Sequence, residues 1–391
     1  MSVAAHRTLR VALDARPLDI DFLRSQGIGR VADALIEHLV PVAAERGGEL
    51  VLLRQDPGPG PTGLARSRDV AAGARTMRLR RPPVPARLAD LPEQVLLPWD
   101  IRRSGAAVSH ALSIYRSAAW VGRPQVVTVH DVIPLMWPQD YLRTGIVHRL
   151  LYRTLRRADA LIAVSEQARS DVISTLGVDP RKIEVIHNAH SPHFRPSDPT
   201  DTLARRGIAA PYLLYVGGLT NDDPRKNVGS LIDAFAQWSR ERDRPETLVL
   251  AGRLGPAAEP LITRAERTGG RIRFTGFVDD AELPALLTGA RCLVTSSRYE
   301  GFGLPALEAL ACGTPVAGFD AGAIREVAGP GAELVQVGDV AALLGAVERI
   351  CDDPGHRAKL ADQGLRHAAG FSWRRNAERT WDVYERLAGA R

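Results

Sequence analysis

Short runs of Val, Ile and Leu alternate along the chain with longer segments of helical periodicity. Segments such as GRVADALIEHLV and VGSLIDAFAQWSRE separate runs that are apolar throughout. Continuous apolar strands with helices between them are typical of parallel sheets that helices cover on both faces. The pattern therefore predicts an α/β fold with strands at residues 9–15, 49–55, 106–112, 125–131, 160–166, 182–188, 211–218, 247–252, 271–276, 290–297, 314–320 and 332–339.

A stretch rich in Pro, Ser and Asp at residues 190–211 interrupts this alternation and divides the predicted strands into two sets of six. Two doubly wound units in tandem fit that division better than one very wide sheet. We therefore expect one Rossmann-like domain over residues 1–195 and a second over residues 196–373. Residues 57–90 are rich in Pro, Gly and Arg and only weakly periodic, so we expect a long surface loop of the first domain.

The composition of the 391-residue chain is that of a soluble globular protein, with 45% hydrophobic and 25% charged residues. No run approaches the ~18 apolar residues of a membrane-spanning helix, and no apolar stretch of signal-peptide length precedes the first predicted strand. These features predict a cytoplasmic protein. The three cysteines are widely spaced and include no C-x-x-C pair, so we expect neither a disulfide framework nor a zinc cluster.

The basic residues are nearly all arginine, and the net charge of +6 leaves a second class of function open. A basic protein can bind nucleic acid, an anionic membrane surface or a phosphorylated ligand. The segment GIVHRLLYRTLRRAD at residues 145–159 carries four arginines on an amphipathic pattern, which favours binding to a surface. The alternative hypothesis is therefore a nucleic-acid- or membrane-binding protein without enzymatic activity.

The most specific pattern is TSSRYEGFGLPALEALACG at residues 295–313, which predicts a strand end, a loop and a helix. Pro305 suits the first turn of that helix and Gly313 the position after its end. The free backbone N–H groups before a helix, together with its dipole, favour an anion or the hydroxyls of a polar ligand. Glycines would let the backbone approach that ligand closely. The loop residues expected at the ligand are Gly301, Phe302, Gly303 and Leu304.

Two glutamates flank this loop, Glu300 within it and Glu308 about one turn into the helix. No lysine or arginine stands beside either of them in the sequence. Carboxylates without a cationic neighbour suit a diol, because they accept hydrogen bonds from adjacent hydroxyl groups. Sugars and riboses are diols, so the pair predicts recognition of a sugar-containing ligand.

A second pattern, YVGGLTNDDPRKNVGSLIDAF at residues 215–235, ends a strand in two glycines and leads into a helix through Arg225 and Lys226. Two adjacent cations at the start of a helix could clamp a diphosphate, the arginine as a fork and the lysine as a point charge. Gly218 is expected at the same ligand. Residues 220–223 are interpreted as extra loop.

The predicted first domain offers weaker signals. Gly27 and Gly29 precede an amphipathic helix and could present N–H groups to a diphosphate, although a tight turn is an open alternative. His130 ends the strand VTVH, where a neutral imidazole could bond a sugar hydroxyl, although a structural His–Asp pair with Asp131 is also open. His110 is a guess for a residue that faces the acceptor.

These motifs resemble a known family. The string EGFGLPALEALACGTPVAG, with Glu300 and Glu308 in an E-x7-E arrangement, is similar to the signature of the retaining, nucleotide-sugar-dependent glycosyltransferases of family four, whose GT-B fold places two Rossmann-like domains across a cleft. The similarity runs over nearly the whole chain and is most specific between residues 212 and 330. The C-terminal FSWRRNAERTWDVYERL resembles the closing helix of that family, which implies that residues 374–391 pack back on the first domain.

The resemblance implies a role for each matching residue. Glu300 would contact the transferred sugar and Glu308 the ribose hydroxyls. Lys226 would bind the diphosphate, whereas the family's arginine commonly follows the glycine and would fall at Gly218 or Leu219 rather than at Arg225. The family also has the G-I-G-R loop and the H-D segment whose histidine lies close to the transferred sugar.

The resulting prediction is a retaining hexosyltransferase. It would move a hexose from a nucleoside-diphosphate sugar of the GDP-mannose or UDP-glucose type to a hydroxyl of a glycan, lipid-linked or small-molecule acceptor. Cations at the diphosphate could replace a metal, so we expect no metal and no cofactor. Asp19-Ile20-Asp21 and the three histidines His187, His190 and His193 are the only patterns that suggest a metal, and neither is placed convincingly. We expect no nucleic-acid partner, while peripheral membrane association is compatible with a lipid acceptor. A dehydrogenase is excluded because no G-x-G-x-x-G follows the first strand.

Overall fold

The computed structural model describes residues 8–19, 27–55, 73–80, 90–114, 118, 121–141, 152–219, 223–256 and 258–390. The chain forms two compact units. The first unit consists of Met1–Asn188 together with Trp373–Arg391, and the second consists of Ala189–Ser372. The division lies at Asn188, whereas the sequence pattern placed it at residue 195.

Each unit contains one parallel sheet, and the strands are numbered here in chain order. The strands are β1 (Arg10–Asp14), β2 (Glu49–Arg54), β3 (Arg75–Arg78), β4 (Val108–Ala111), β5 (Gln125–Val129), β6 (Ala160–Ala163), β7 (Ile183–Val185), β8 (Tyr212–Val216), β9 (Thr247–Ala251), β10 (Ile272–Gly276), β11 (Leu293–Thr295), β12 (Val316–Phe319) and β13 (Ala332–Val335).

Helices separate most of these strands. They are α1 (Gly27–Glu45), α2 (Asp90–Arg103), α3 (Ile133–Met136), α4 (Pro138–Tyr141), α5 (Glu166–Leu176), α6 (Thr200–Arg206), α7 (Val228–Glu241), α8 (Ala258–Thr268), α9 (Leu283–Gly289), α10 (Leu304–Ala311), α11 (Ile324–Ala328), α12 (Val340–Asp352), α13 (Pro354–Ala368) and α14 (Trp373–Gly389).

Both sheets reverse their strand order next to their first strand. The first sheet has the order β3-β2-β1-β4-β5-β6-β7, and the second has the order β10-β9-β8-β11-β12-β13. All the strand pairs are parallel; for example, Val11 lies opposite both Leu50 and Val108. Such a reversal is the switch point at which open α/β sheets bind ligands, beyond the carboxyl ends of the strands. The topology therefore directs attention to the ends of β1 and β4 in the first unit and of β8 and β11 in the second.

The core explains why the central strands read as apolar throughout. Every residue of β4, β5, β6 and β12 is buried, because helices cover both faces of the sheets. In the second unit, residues of β8, β9, β11 and β12 pack with α7 and α12 in one cluster that includes Phe235, Phe319 and Val347. The predicted fold class, two Rossmann-like units with parallel sheets, is confirmed.

Two local predictions are wrong. The strand β3 lies in the region expected to be only a surface loop, so the first sheet has seven strands rather than six. Its sequence RTMR carries no apolar run because an edge strand with mostly exposed side chains needs none. The stretch 190–211, expected to be a linker, contains the helix α6. The rest of 57–90 lies largely outside the described residues, as do residues 145–151 of the arginine-rich segment.

The C-terminal helix α14 belongs to the first unit and packs against α1. Trp381 is fully buried, and a Cβ added at Gly48 would lie 2.2 Å from its ring, so only glycine fits there. Arg374 donates to Glu45 of α1 at 2.8 Å, and Asn376 donates to the carbonyl of His187 at 2.7 Å. Within the part of the chain that the structure describes, no helix is both long enough and apolar enough to cross a membrane.

Candidate functional site

A pair of glycines, Gly217 and Gly218, follows β8 at the switch point of the second sheet. A Cβ added at Gly252 would lie 1.8 Å from the carbonyl oxygen of Gly217, and one added at Gly217 would lie 2.6 Å from the hydroxyl of Tyr215. Backbone and side chain therefore approach so closely that glycine is required at both positions. Gly218, predicted to bind a ligand, directly follows at the carboxyl end of the strand.

The two predicted cations, Arg225 and Lys226, lie between these glycines and α7. Asp223 accepts hydrogen bonds from the backbone N–H of Arg225 at 3.1 Å and from its Nη2 at 2.9 Å. The Nη1 of Arg225 also donates to the carbonyl of Tyr299 at 2.8 Å. The hydroxyl of Ser296 donates to the carbonyl of Lys226 at 2.8 Å. The cation pair is therefore fixed on one side by its own loop and on the other by the loop that follows β11.

Glu300 lies between these cations. Its Oε1 accepts from Lys226 Nζ at 2.6 Å, and its Oε2 accepts from Arg225 Nη1 at 3.0 Å. Burial by itself would raise the pKa of Glu300, but the charges of Lys226 and Arg225, together with hydrogen bonds from Lys226 and Ser297, lower it to about 2. The carboxylate is therefore ionised throughout the physiological pH range.

The expectation that Glu300 has no cationic neighbour is wrong. Lys226 is 74 residues away in the sequence, and the adjacency of β8 and β11 in the sheet brings the two side chains together. The contact could not be inferred from residue spacing, because neighbouring strands of a parallel sheet need not be consecutive in the chain.

The helix α10 begins at the same place, as predicted. Gly303 caps its N-terminus with a φ of 98°, Pro305 occupies its first turn, and Gly313 follows its end with a φ of 74°. A Cβ added at Gly303 would lie 2.6 Å from Ile324 Cδ1. Gly301, Phe302 and Leu304 complete the loop at the start of the helix. The side chain of Phe302 is 6% exposed and meets Phe371 edge-on, so this residue can offer a ligand its backbone but little of its ring.

Glu308 lies within α10 and is only 2% exposed. Burial, and secondly the negative charge of Glu308, raise the pKa of the Cys312 thiol to about 12. A carboxylate enclosed to this degree in an otherwise apolar helix is unusual, because burial of a charge is costly unless it is compensated. Glu308 thus differs from Glu300, which the loop presents directly to Lys226.

A small pocket of about 20 Å³ lies beneath these groups. Its polar lining comes from Tyr215, Lys226, Thr295, Ser297 and Glu300, and its other walls include Gly303, Pro305, Ala306 and Ile324. The pocket therefore joins the end of β8, the end of β11 and the start of α10 in one polar site within the second unit.

In the first unit, His130 follows β5 directly, as predicted. Its Nε2 lies 2.9 Å from the carbonyl of Leu112, which can only accept, so Nε2 carries the proton. Burial lowers the pKa of His130, and the bond to Leu112 offsets this only in part. The imidazole is therefore neutral, and its Nδ1 is an acceptor. Asp131 accepts the N–H of Ile133 at the start of α3, at 3.0 Å.

The other sequence candidates of the first unit are placed as follows. Gly27 and Gly29 are the first and third residues of α1, where helical N–H groups have no partner within the helix. The guess that His110 faces an acceptor is wrong, because it is 1% exposed and its ring bonds the hydroxyls of Tyr384 and Thr128. Burial lowers the pKa of His110 to about 3.

The described residues of the two patterns that suggested a metal form no cluster of ligands. Asp19 accepts from Arg54 and from the backbone of Gln55, while Ile20 and Asp21 lie outside the described residues. Among the described residues, no group of three or more His, Cys, Asp or Glu side chains is arranged to hold a metal ion.

Comparison with known proteins identifies the family of the chain. The family model described as Glycosyltransferase Family 4 matches residues 25–193, and the one described as Glycosyl transferases group 1 matches residues 208–367. The chain is 31% identical over 272 residues to the O-antigen chain mannosyltransferase B of Escherichia coli. This match covers 67% of this chain and 70% of that protein. The chain belongs to glycosyltransferase family 4.

A second relative and two solved structures support the same assignment. The MMP alpha-(1->4)-mannosyltransferase of Mycolicibacterium hassiacum is 32% identical, and the match spans 68% of this chain and 66% of the relative. Sucrose-phosphate synthase from Thermosynechococcus elongatus has a TM-score of 0.76 at 22% identity, over 98% of this chain and all of the other. HepE of Anabaena in complex with UDP-glucose has a TM-score of 0.72 at 20% identity, over 97% and 100%. At these identities the structures show the fold, and the GT-B prediction is confirmed.

As a member of family 4, this glycosyltransferase transfers a sugar from a nucleotide sugar to an acceptor. The prediction of a glycosyltransferase is therefore confirmed, and the hypothesis of a binding protein without activity is not favoured. Sequence reasoning did not identify Asp223, Ser297 or Tyr215, which surround Arg225 and Glu300. Asp223 was assigned to an insertion, and Tyr215 belongs to a strand that reads as pure core.

Proposed function

We propose that this family 4 glycosyltransferase is a retaining hexosyltransferase that needs no metal ion. It would break the bond between a hexose and the diphosphate of a GDP-mannose or UDP-glucose type donor, and join the hexose to an acceptor hydroxyl with its anomeric configuration kept. The observation that carries this proposal is the cluster of Arg225, Lys226 and Glu300 beside the N-terminus of α10. Cations, a carboxylate and backbone N–H groups are the groups that such a donor requires.

Lys226 and Arg225 would act on the leaving group. Cleavage of the glycosyl–phosphate bond sends its electron pair to the diphosphate, where negative charge develops. Cations already held in place by Asp223, Ser296 and Glu300 stabilise that charge without reorganisation. A single preorganised donor of this kind contributes ~3–4 kcal/mol in other enzymes. The backbone of Gly218 and the residues Gly301–Leu304 would add N–H donors to the same diphosphate.

Glu300 would act on the transferred sugar. It stays ionised because its pKa is about 2, so it can accept hydroxyl hydrogen bonds and stabilise the positive charge that develops on the sugar ring. A diphosphate bound by Lys226 and Arg225 would bring its sugar beside this carboxylate. Glu308 would bind the ribose hydroxyls, which requires that its buried carboxylate become accessible from the start of α10.

His130, Gly27 and Gly29 are proposed as contributions of the first unit. The neutral His130 has an acceptor nitrogen, Nδ1, that suits a substrate hydroxyl better than an anion. The first turn of α1 offers N–H groups that suit a phosphate. These assignments rest on the chemistry of the residues and on their positions at the ends of β5 and at the start of α1.

The donor is narrowed by the relatives. The E. coli relative is a mannosyltransferase by name, and so is the Mycolicibacterium relative. The Anabaena structure holds UDP-glucose. Both GDP-mannose and UDP-glucose therefore belong in the first panel of donors, and a cytoplasmic location would give the enzyme access to either.

A donor panel tests the proposal. The protein is incubated with GDP-mannose, UDP-glucose and other nucleotide sugars, and thermal shift and nucleotide release are measured with and without EDTA. Nuclear magnetic resonance of the product then gives the anomeric configuration. Retention and full activity in EDTA are expected. A product with inverted anomeric configuration would contradict the retaining mechanism. An activity that EDTA removes would contradict metal independence.

Peripheral membrane association has one supporting feature in the first unit. On α2, Val95 and Trp99 are 70% and 57% exposed, and the helix ends in Arg102 and Arg103. Exposed apolar side chains beside arginines suit the surface of an anionic membrane. Flotation with phosphatidylglycerol vesicles should recover the protein at low salt, and Trp99→Ala should reduce recovery. Equal recovery with neutral phosphatidylcholine vesicles would count against the proposal.

A further inference from the structure

Tyr215 is a buried residue that the proposed chemistry has not yet used. It lies in β8, is 2% exposed, and its hydroxyl has no hydrogen-bond partner among the described residues. Tyr212 of the same strand is fully buried as well, but its hydroxyl donates to the carbonyl of Leu286 at 2.6 Å. Buried hydroxyls are normally paired, and one left unpaired destabilises the folded state. Tyr215 therefore calls for an explanation that Tyr212 does not.

The surroundings of Tyr215 supply that explanation. Its side chain lines the 20 Å³ pocket together with Lys226, Ser297 and Glu300. Its hydroxyl lies beside Gly217, where an added Cβ would be 2.6 Å away. Burial raises the pKa of Tyr215, and the negative charge of Glu300 adds to the increase. The hydroxyl remains a hydrogen-bond donor at any physiological pH.

The pocket matches a single water molecule. A water needs a cavity of roughly 10–15 Å³ and two to four polar partners, and this cavity of about 20 Å³ has Tyr215, Ser297 and Glu300 in its lining. A carboxylate offers about four acceptor sites. Three donors to Glu300 come from Lys226, Arg225 and Ser297. The remaining site would accommodate one more donor.

We propose that Tyr215 is a positioning residue for Glu300, acting through one water that accepts from the tyrosine hydroxyl and donates to the carboxylate. The water fixes the orientation of Glu300 through a contact that does not depend on the cations, so that the carboxylate keeps its place when a diphosphate binds Lys226 and Arg225. Tyr215 itself touches no substrate. The inference rests on the proposed function, in which Glu300 contacts the transferred sugar.

Two matched variants test this arrangement, Tyr215→Phe and Tyr212→Phe. Both remove one buried hydroxyl from the same strand without changing the ring that packs in the core. We expect Tyr215→Phe to lower kcat about tenfold with GDP-mannose or UDP-glucose as donor, because a misoriented catalytic group is costly, while the donor KM changes less than about twofold. Its melting temperature should stay the same or fall slightly. Tyr212→Phe should keep kcat and lose ~2–4 °C in melting temperature.

The opposite pattern would overturn the proposal. If the Tyr215 hydroxyl has no partner, its removal relieves an unpaired buried group, so Tyr215→Phe would keep full kcat and gain ~2–4 °C. A high-resolution crystal structure of the wild-type protein gives a second arm that needs neither activity nor a folded variant. A water within hydrogen-bond distance of both the Tyr215 hydroxyl and Glu300 supports the inference, and a dry pocket contradicts it. A wild-type protein inactive with both donors would count against the proposed function, and the crystallographic result would still decide the role of Tyr215.

Discussion

The carboxyl ends of the two sheets have the same strand reversal but opposite electrostatics. At the end of β8 and β11, Glu300 lies within 3.0 Å of both Lys226 and Arg225, and the pKa of Glu300 falls to about 2. In the first unit, the histidines at the ends of β4 and β5 are kept neutral, because burial lowers the pKa of both His110 and His130. One scaffold thus produces a charged site and an uncharged one.

The difference follows from which groups the loops supply. In the second unit, the loop after β8 brings two cations and the loop after β11 brings one carboxylate, so each charge compensates the other. In the first unit, His130 has a backbone carbonyl for a partner, which favours a neutral ring that both donates and accepts. A charged site suits a diphosphate, and a neutral hydrogen-bonding site suits hydroxyl groups. The comparison therefore predicts that substitutions in the two units affect different parts of the reaction.

The largest effect is expected at Lys226. Lys226→Ala removes the compact charge next to Glu300 and, on our proposal, one of the two groups that stabilise the departing diphosphate. Transfer should fall by about 10²–10³-fold or more, whereas the fold should persist because Arg225 still pairs with Glu300. Initial rates with the active donor measure the loss of transfer, and a melting curve measures whether the fold persists. Lys359→Ala, at an exposed lysine of α13, is the control and should keep full activity. Wild-type rates in Lys226→Ala would remove the charged site from the mechanism.

The next effect concerns the start of α10. Gly303→Ala forces a residue with a Cβ into a φ of 98° and places that carbon 2.6 Å from Ile324. The strain should lower the free energy of unfolding by ~1–3 kcal/mol and shift the N–H groups that we assign to the diphosphate. Urea unfolding and donor KM measure the two consequences.

Gly345→Ala is the matched control for that substitution. Gly345 lies inside α12, and the nearest atom to an added Cβ is 3.7 Å away. Alanine there should stabilise the protein by ~0.5–1 kcal/mol, because glycine is a poor helix former. Equal stability changes in both variants would show that the cap conformation of Gly303 has no special importance.

The sequence alone predicts those parts of the molecule that depend on local pattern. The helix α10 lies between Pro305 and Gly313 as expected, and the apolar runs mark every strand of the second sheet. The sequence pattern also predicts correctly that His130 lies at the end of β5. Each of these features is determined by residues a few positions apart, whose propensities agree with the final fold.

Contacts between distant segments could not be predicted in this way. The bond between Lys226 and Glu300 spans 74 residues, and that between His110 and Tyr384 spans 274. The first contact depends on the strand order of the second sheet, and the second depends on the return of α14 to the first unit. Residue spacing encodes neither. The edge strand β3 was missed for another reason, since its exposed side chains need no apolar pattern.

The response to acid should separate the two units. His110 has a pKa of about 3 in the folded protein and near 6.5 when unfolded, so only the unfolded state binds its proton between these values. The neutral His110 stabilises the folded state fully above pH 6.5, and this stabilisation is lost as the pH falls toward 3. The loss in the free energy of unfolding is about 2 kcal/mol at pH 5. The depressed pKa of Glu300 has the same sign, but its contribution is lost only below about pH 4.5.

Chemical unfolding at pH 7.5 and pH 5, with hydrogen exchange to resolve the units, measures this difference. Amides of the first unit should lose protection at pH 5, while those of the second unit keep it. His110→Gln retains hydrogen-bonding capacity without a titratable ring, so it should flatten the pH dependence of the first unit. An unchanged pH dependence in that variant would assign the effect to other groups.

The smallest effect is expected at His130, and it tests whether the neutral site takes part at all. His130→Ala removes one neutral hydrogen bond to a substrate hydroxyl, which contributes ~0.5–1.5 kcal/mol, so kcat/KM should fall by up to about tenfold. His38→Ala is the control, because the His38 ring also bonds a backbone carbonyl, that of Ala34, within the same unit. Since the His130 site is neutral, the loss in His130→Ala should not depend on ionic strength, whereas residual transfer in Lys226→Ala should respond to added salt. If salt changed the activity of His130→Ala as strongly as that of Lys226→Ala, the first unit would also act through charge. The contrast between a charged and a neutral site would then be wrong.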